Sequence, residues 1–376
     1  MRASLADARP RRVRRVRWRV LVTLLLGILV APGFAGGSPA TDKPGEVVTL
    51  FPTFGHGSGD GRRWVIAVRA WVHRTWEGHG GALREFREQM GLGPDDAERS
   101  PFRSRARGFL AHNQDGRRVA VQVAGTVFAL GRTGADGHVE GTVSVEAAAV
   151  AGRTEARGVT AGWLPIRTLM AGGQGRSFAG AAQLIGETGL SVISDIDDTI
   201  KVTRVSERRE LLANTFLREF QPVPGMAEAY GRWARAGAVF HYMTASPWQL
   251  YEPLARFLEE GGFPAGSFHM KAFRWKDAGF LRLFESPEKG KPAAIEPILS
   301  AFPRRRFVLV GDSGERDPEI YGALARKYPD RVAAIFIRAV SGAGLQPERF
   351  ARAFDGVASD RWRVFSSPGE LGGLSP

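Results

Sequence analysis

The chain of 376 residues contains no cysteine. That absence excludes disulfide bonds and thiol chemistry, and it does not argue against export. Long apolar runs are lacking too. The most hydrophobic stretch, residues 20–31, has twelve residues, whereas a membrane span needs about 20. Residues 47–170 show no internal repeat, and His56, His73, His79 and His269 have no spacing suited to a zinc site. The formal charge of +13 also lacks the form expected of a nucleic-acid binder. Residues 1–35 carry eight arginines against one acid, Asp7, and the remaining +6 is spread along the chain. This fits a mildly basic surface that approaches anionic lipid or phosphate, without the dense stripe that DNA requires.

At this length the chain is long enough for two domains, each with a core. The order of arginine cluster, apolar core and small residues resembles a secretory signal cleaved near Ala35, with an uncleaved anchor as the alternative. The Arg14-Arg15 pair sits in surroundings too loose to favour a twin-arginine signal. The body of the protein is therefore expected outside the cytoplasm. Residues 36–46 read as a linker. Between 47 and 175, short runs alternate with period two, as in Val119-Ala120-Val121-Gln122-Val123. This predicts a small β-rich domain with a single helix near 82–90 and no catalytic cluster.

From 185 to 370 the pattern becomes strand, helix, strand. Strands are expected at 190–195, 238–243, 306–311, 332–337 and 362–365, and helices at 247–260, 291–301 and 316–327. Such alternation predicts the α/β class, with a Rossmann-like parallel sheet covered by helices on both faces. Ligands bind at the carboxyl ends of such strands, so the residues just past each apolar run are the candidates.

The run Asp195-Ile196-Asp197-Asp198-Thr199 directly follows Leu190-Ser191-Val192-Ile193-Ser194. Two carboxylates spaced i, i+2 suit phosphoryl transfer, one attacking phosphorus and the other passing a proton to the leaving oxygen. Acidic pairs after strands also cap helices or bind structural cations, so the run alone leaves both readings open. The hydroxyl of Thr199 falls where a turn can steady the pair. After the second strand comes Thr244-Ala245-Ser246-Pro247-Trp248, Lys291 opens a helix, and Gly311-Asp312-Ser313-Gly314-Glu315-Arg316-Asp317 follows a third strand. A nucleophilic acid, a phosphate-binding hydroxyl, a phosphate-binding lysine and a second acidic group thus occur in order. A phosphate dianion repels a carboxylate, so this chemistry also needs a cation; Mg²⁺ takes about six oxygens, mostly from water. The phosphoryl charge further needs a fixed lysine and hydroxyl.

This set resembles the motifs of the haloacid-dehalogenase-like phosphatases. The run Ile193-Ser194-Asp195-Ile196-Asp197-Asp198-Thr199-Ile200-Lys201-Val202-Thr203 resembles the signature of the actin-patch-associated phosphatidate phosphatases of fungi and their bacterial relatives, distant cousins of the lipins. Pro224-Gly225-Met226, Phe240-His241-Tyr242 with Ser246-Pro247-Trp248, and the segment from Gly311 to Tyr321 follow the same pattern, so the likeness covers about 188–340. The resemblance implies a haloacid-dehalogenase-like domain without a large cap. It makes Asp195 the nucleophile that forms an aspartyl-phosphate and Asp197 the general acid and base. Thr244 and Lys291 become the phosphate ligands, with Lys289 as the alternative lysine. Asp312, supported by Asp317, completes a Mg²⁺ site with the carboxylate of Asp195 and the main-chain carbonyl of Asp197. The implied substrate is phosphatidate, a phosphorylated lipid met at an anionic membrane surface. The alternatives are another lipid or soluble phosphomonoester, or a non-catalytic module that binds lipid or a partner.

Several residues carry plainer readings. Asp198 reads as a capping or supporting residue. Ser246 reads first as a helix N-cap before Pro247 and second as a phosphate ligand, and His241 as a core histidine. The basic and aromatic stretch 271–284 reads as packed strand and helix, or as an interfacial patch. Residues 204–223, with Arg204 near the site as a substrate ligand, form either a flap or a solvated helix.

Overall fold

The computed structural model describes residues 45–78, 80–169, 177–272, 290–340 and 346–373. The expected signal or anchor, residues 36–44, His79, Lys289 and residues 273–284 lie outside them. Ten strands build a first sheet: β1 (Glu46–Leu50), β2 (Thr53–Gly57), β3 (Arg63–Arg74), β4 (His112–Asn113), β5 (Arg118–Val123), β6 (Thr126–Arg132), β7 (His138–Glu146), β8 (Glu155–Arg157), β9 (Thr160–Leu169) and β10 (Ala179–Ile185). Its main path runs β1-β3-β2-β10-β9-β5-β6, and β7 pairs with β3. The alternation seen in the sequence gives it one buried face. On β3, Ile66, Val68, Ala70 and Val72 are buried among valines and isoleucines from β5, β7 and β9, while Ala67 and Arg69 take the opposite face. The sheet starts at Glu46, inside the expected linker, where the buried carboxylate pairs with Arg117. It also extends past 175, because β10 pairs with both β2 and β9.

This half has more helix than the single one expected. Helix α1 (Gly81–Gln89) matches the expectation, but α2 (Ser100–Leu110) follows it, and the short α3 (Ala147–Val150) ends β7. Helix α2 buries Phe102, Ala106 and Phe109 together with Arg105. The Arg105 guanidinium donates to the carbonyls of Thr215 (2.9 Å) and Arg218 (2.7 Å) and lies 3.8 Å from the Phe220 ring centre. Its charge is thereby satisfied inside a core.

The second sheet consists of β11 (Leu190–Asp195), β12 (Val239–Pro247), β13 (Gly266–Lys271), β14 (Arg306–Asp312), β15 (Val332–Arg338) and β16 (Trp362–Phe365). All its pairings are parallel, in the order β13-β12-β11-β14-β15-β16. Every residue of β11 is buried, as expected of a central strand covered on both faces. Val192 and Val308 face one core, and Ile193 and Leu309 face the other. The covering helices are α4 (Arg208–Leu212), α5 (Met226–Arg235), α6 (Tyr251–Glu260), α7 (Gly290–Ala301), α8 (Asp317–Lys327) and α9 (Pro347–Ala353). Helix α4 and the turn after it bury Leu211, Leu212 and Phe216, so this insertion is packed and not a solvated helix. Phe216 meets Phe86 and Phe109 of the first half at 5.9 and 5.7 Å. Among the described residues no helix is long and apolar enough to cross a membrane. The strand order reverses direction at β11, and that reversal opens a crevice at its carboxyl end.

Candidate active site

Asp195 ends β11 at that crevice, and Asp312 ends the neighbouring β14. Both are buried. Asp317 opens α8, and Glu315 lies in the connecting turn. One ligand oxygen from each of Asp195, Asp312, Glu315 and Asp317 lies within 4.8 Å of all the others. Lys291, in the first turn of α7, reaches into this group. Its ammonium is 2.9 Å from Asp195 Oδ1, 2.8 Å from Glu315 Oε2 and 2.5 Å from Asp317 Oδ1. Burial works against its charge, but these carboxylates outweigh burial and hold it well above the ordinary lysine range. One ammonium does not balance four carboxylates. Burial pushes Asp195 and Asp312 well above the usual carboxylate range, and their acidic neighbours add to the rise. Glu315 is raised for the same reasons. Asp312 Oδ1 accepts the N–H groups of Gly314 (2.6 Å) and Glu315 (3.2 Å), while its Oδ2 is buried without a hydrogen-bond partner. A hard cation fits this set of oxygens.

Asp197 points elsewhere. Its Oδ2 accepts the hydroxyls of Thr244 (2.7 Å) and Ser246 (3.2 Å). Its Oδ1 accepts the Thr203 hydroxyl at 2.8 Å and lies 2.9 Å from the Lys201 ammonium. Burial raises the carboxyl, but the Lys201 charge and these hydrogen bonds win and bring it down to about 2. Asp195 and Asp197 are thus held in opposite electrostatic settings, as two carboxylates with separate tasks require. A shift in the β12–β13 register between Met243 and Pro247 turns Thr244 and Ser246 toward Asp197. Ser246 is accordingly not the helix cap expected from Pro247; the helical turns that follow have no side-chain cap. Thr199 donates to Asp195 Oδ2 at 3.1 Å, the steadying contact expected of it.

Asp198 fastens the loop. It sits at φ 55°, a left-handed conformation that aspartate tolerates better than most residues. Its carboxylate accepts the N–H groups of Thr203, Arg204 and Val205 at 2.7–2.8 Å. The Arg204 side chain pairs with Glu210 at 3.4 Å and is half exposed. His241 is fully buried, hydrogen-bonded to Ser267 at 2.8 Å and pushed well below the ordinary histidine range by burial. It is a core residue.

Residues 190–339 match the family model described as phosphatidate phosphatase APP1, catalytic domain. Over this segment the chain is similar to that family. The chain is 35% identical over 164 residues to phosphatidate phosphatase APP1 of Saccharomyces cerevisiae, covering 43% of this chain and 27% of the relative. It is 31% identical over 170 residues to an uncharacterized protein of Schizosaccharomyces pombe, covering 44% and 27% respectively. The chain therefore spans about a quarter of the length of these relatives. Among solved structures it is similar to D,D-heptose 1,7-bisphosphate phosphatase from Burkholderia thailandensis, with 16% identity, TM-score 0.26, and coverage of 48% of this chain and 94% of the other. A putative β-phosphoglucomutase from Thermotoga maritima gives 13%, 0.29, 49% and 96%.

Within this segment Lys201 and Glu315 take positions that the sequence does not announce. Both sit inside quoted motifs, but nothing in their spacing says which acid each would meet. Gly311 is a third such position. A Cβ there would lie 2.2 Å from Asp317 Oδ2, so only glycine lets α8 bring this carboxylate so close to β14. Gly311→Ala should push Asp317 off Lys291 and lower divalent-cation affinity about 10- to 100-fold, as supporting changes at metal sites do. A Mg²⁺ titration of the variant with unchanged affinity would refute this.

Proposed function

We propose that this chain is a Mg²⁺-dependent phosphomonoesterase with a haloacid-dehalogenase-like catalytic domain, and that it cleaves phosphatidate to diacylglycerol and phosphate. The observation that carries the reading is the division of labour at the crevice. Asp195 stands beside Lys291 in an acidic cluster, while Asp197 is held apart by Lys201 and three hydroxyls. The activity named for the Saccharomyces cerevisiae relative supports the substrate. The proposal includes export through residues 1–35 and a lipid substrate met at an anionic membrane surface.

Asp195, Asp312, Glu315 and Asp317 would hold the metal; the unpartnered Asp312 Oδ2 and the raised carboxyls are what it would satisfy. When bound, Mg²⁺ supplies positive charge that lets a carboxylate approach a phosphate dianion. Lys291 steadies the phosphoryl group, and Thr199 orients Asp195. Arriving phosphoryl oxygens take over the hydroxyls of Thr244 and Ser246. Asp197 then loses two donors and gains a negative neighbour, so its proton affinity rises from its resting value of about 2. Asp195 attacks phosphorus, the bond to the alcohol breaks, and Asp197 gives the leaving oxygen its proton. Asp197 then takes a proton from water, which attacks the aspartyl-phosphate, releases phosphate and restores Asp195.

The deciding assay is phosphate release from phosphatidate in mixed micelles, with and without Mg²⁺, for the parent and Asp197→Asn. Release that needs Mg²⁺ and disappears in the variant is expected. Turnover of an aryl phosphate but not phosphatidate would remove the lipid from the reading, and silence on both would remove the enzyme. A second readout needs no turnover. Because Asp195, Asp312 and Glu315 are raised in the fold, their contribution to stability is full below about pH 4 and is lost as pH rises through the raised values. Mg²⁺ should restore it. The Mg²⁺-induced rise in Tm should therefore be larger at pH 8 than at pH 5, and equal rises would argue against metal at this cluster.

A further inference from the structure

A cavity of about 680 Å³ adjoins the catalytic residues, and Thr244 and Lys291 form part of its lining. That size lies within the range of about 300–1,000 Å³ typical of small-molecule sites. One wall comes from the second sheet and α7, where Met243, Phe268, Met270 and Ile298 make it apolar. The opposite wall comes from the first sheet, through Phe54, Ala67, Arg69 and Thr142. This part of the first sheet is the face of β3 turned away from its own valine core, as the alternation of buried residues on β3 requires. Arg69 lies 4.6 Å over the Trp248 ring and is paired with Glu140, which ties the two walls together at one end.

We infer that the amino-terminal sheet is the specificity wall of the active site: the cavity between the sheets receives the apolar alcohol portion of the phosphomonoester, and Ala67 sets the room available to it. The inference rests on the phosphomonoesterase reading above. A phosphoryl group held between Lys291 and Thr244 has its ester oxygen pointing away from Asp195, since attack and departure are in line. The alcohol then extends into the space that Lys291 and Thr244 share with the first sheet. That space is mostly apolar on the catalytic side, with His269 and Lys271 as further polar side chains of the lining. On the other side it is narrowed by small residues, Ala67 and its β7 partner Thr142, where larger ones would close it. Among the described residues the first half of the chain thus supplies no catalytic group and still decides which esters fit.

The test measures binding, so that it does not depend on turnover. Calorimetry with Mg²⁺ present compares octylphosphonate, below its micelle concentration, with methylphosphonate, on the full chain and on Ala67→Phe. The parent should bind octylphosphonate at least tenfold more tightly than methylphosphonate. Ala67→Phe should erase that advantage while leaving methylphosphonate affinity within about twofold, which also reports an intact fold. No chain-length advantage in the parent, or an advantage that survives in Ala67→Phe, overturns the inference. Met270→Ala provides the converse, keeping methylphosphonate affinity and weakening octylphosphonate. Failure of the phosphatase reading would appear separately, as absent phosphate release from a parent that still discriminates chain length.

Discussion

Asp195→Asn should abolish phosphate release, by about 10⁴-fold or more, as loss of a covalent nucleophile does in other enzymes. The amide keeps the shape of the side chain, with its oxygen facing the Lys291 ammonium and its NH₂ donating to the Thr199 hydroxyl, but it cannot displace an alcohol from phosphorus. The same change should make the metal-free protein more stable. Asp195 is buried among Asp312, Glu315 and Asp317, and burial and those acids disfavour its charge. Lys291 keeps two partners when that charge is removed. A gain of about 1 kcal/mol or more is expected in urea unfolding without metal, since relief of a buried like charge is worth at least that. A dead, stabilised variant separates loss of chemistry from loss of fold. Residual turnover within tenfold of the parent would dismiss Asp195 as nucleophile.

Lys291→Met should have the opposite effect on stability. The methionine fills similar volume but leaves Asp195, Glu315 and Asp317 without the ammonium that sits 2.5–2.9 Å from each. Breaking a buried pair by removing one partner costs about 3–5 kcal/mol. The cost should be smaller at pH 5 than at pH 8, because the raised carboxyls take up protons when their counter-charge is gone. Mg²⁺ should recover part of the stability. Turnover should still fall about 10²- to 10³-fold, since a fixed donor to the phosphoryl group is worth that much. Urea midpoints at the two pH values, with and without Mg²⁺, provide the check. A midpoint unchanged at pH 8 without metal would mean that Lys291 does not neutralise the cluster.

These two variants lie on the part of the protein most legible in its sequence. The apolar run before Asp195 is a buried central strand for its whole length, and the strand at Trp362–Phe365 has the expected limits. Helices α7 and α8 start within one residue of their expected positions. Such features depend on neighbours a few residues apart, and apolar period and i, i+2 spacing record those directly. Helix α2 was hidden because Arg105 occupies a core position, and its charge is satisfied by carbonyls more than a hundred residues away. Strand β10 reads like any short apolar run, and only its pairing with β2 and β9 assigns it to the first sheet.

The site divides in the same way. Sequence alone determined that Asp195, Asp197, Thr244 and Asp312 stand at or just past strand ends, because a parallel sheet fixes where its loops emerge, and that Lys291 opens a helix. Tertiary structure decided which charge meets which. It gave Lys201 to Asp197, brought Glu315 to the acid cluster, turned Ser246 from a helix cap into a donor to Asp197, and paired Arg204 with Glu210. Coulomb energy in a buried site changes steeply over one or two ångströms, and distances of that size are set by packing and not by spacing along the chain.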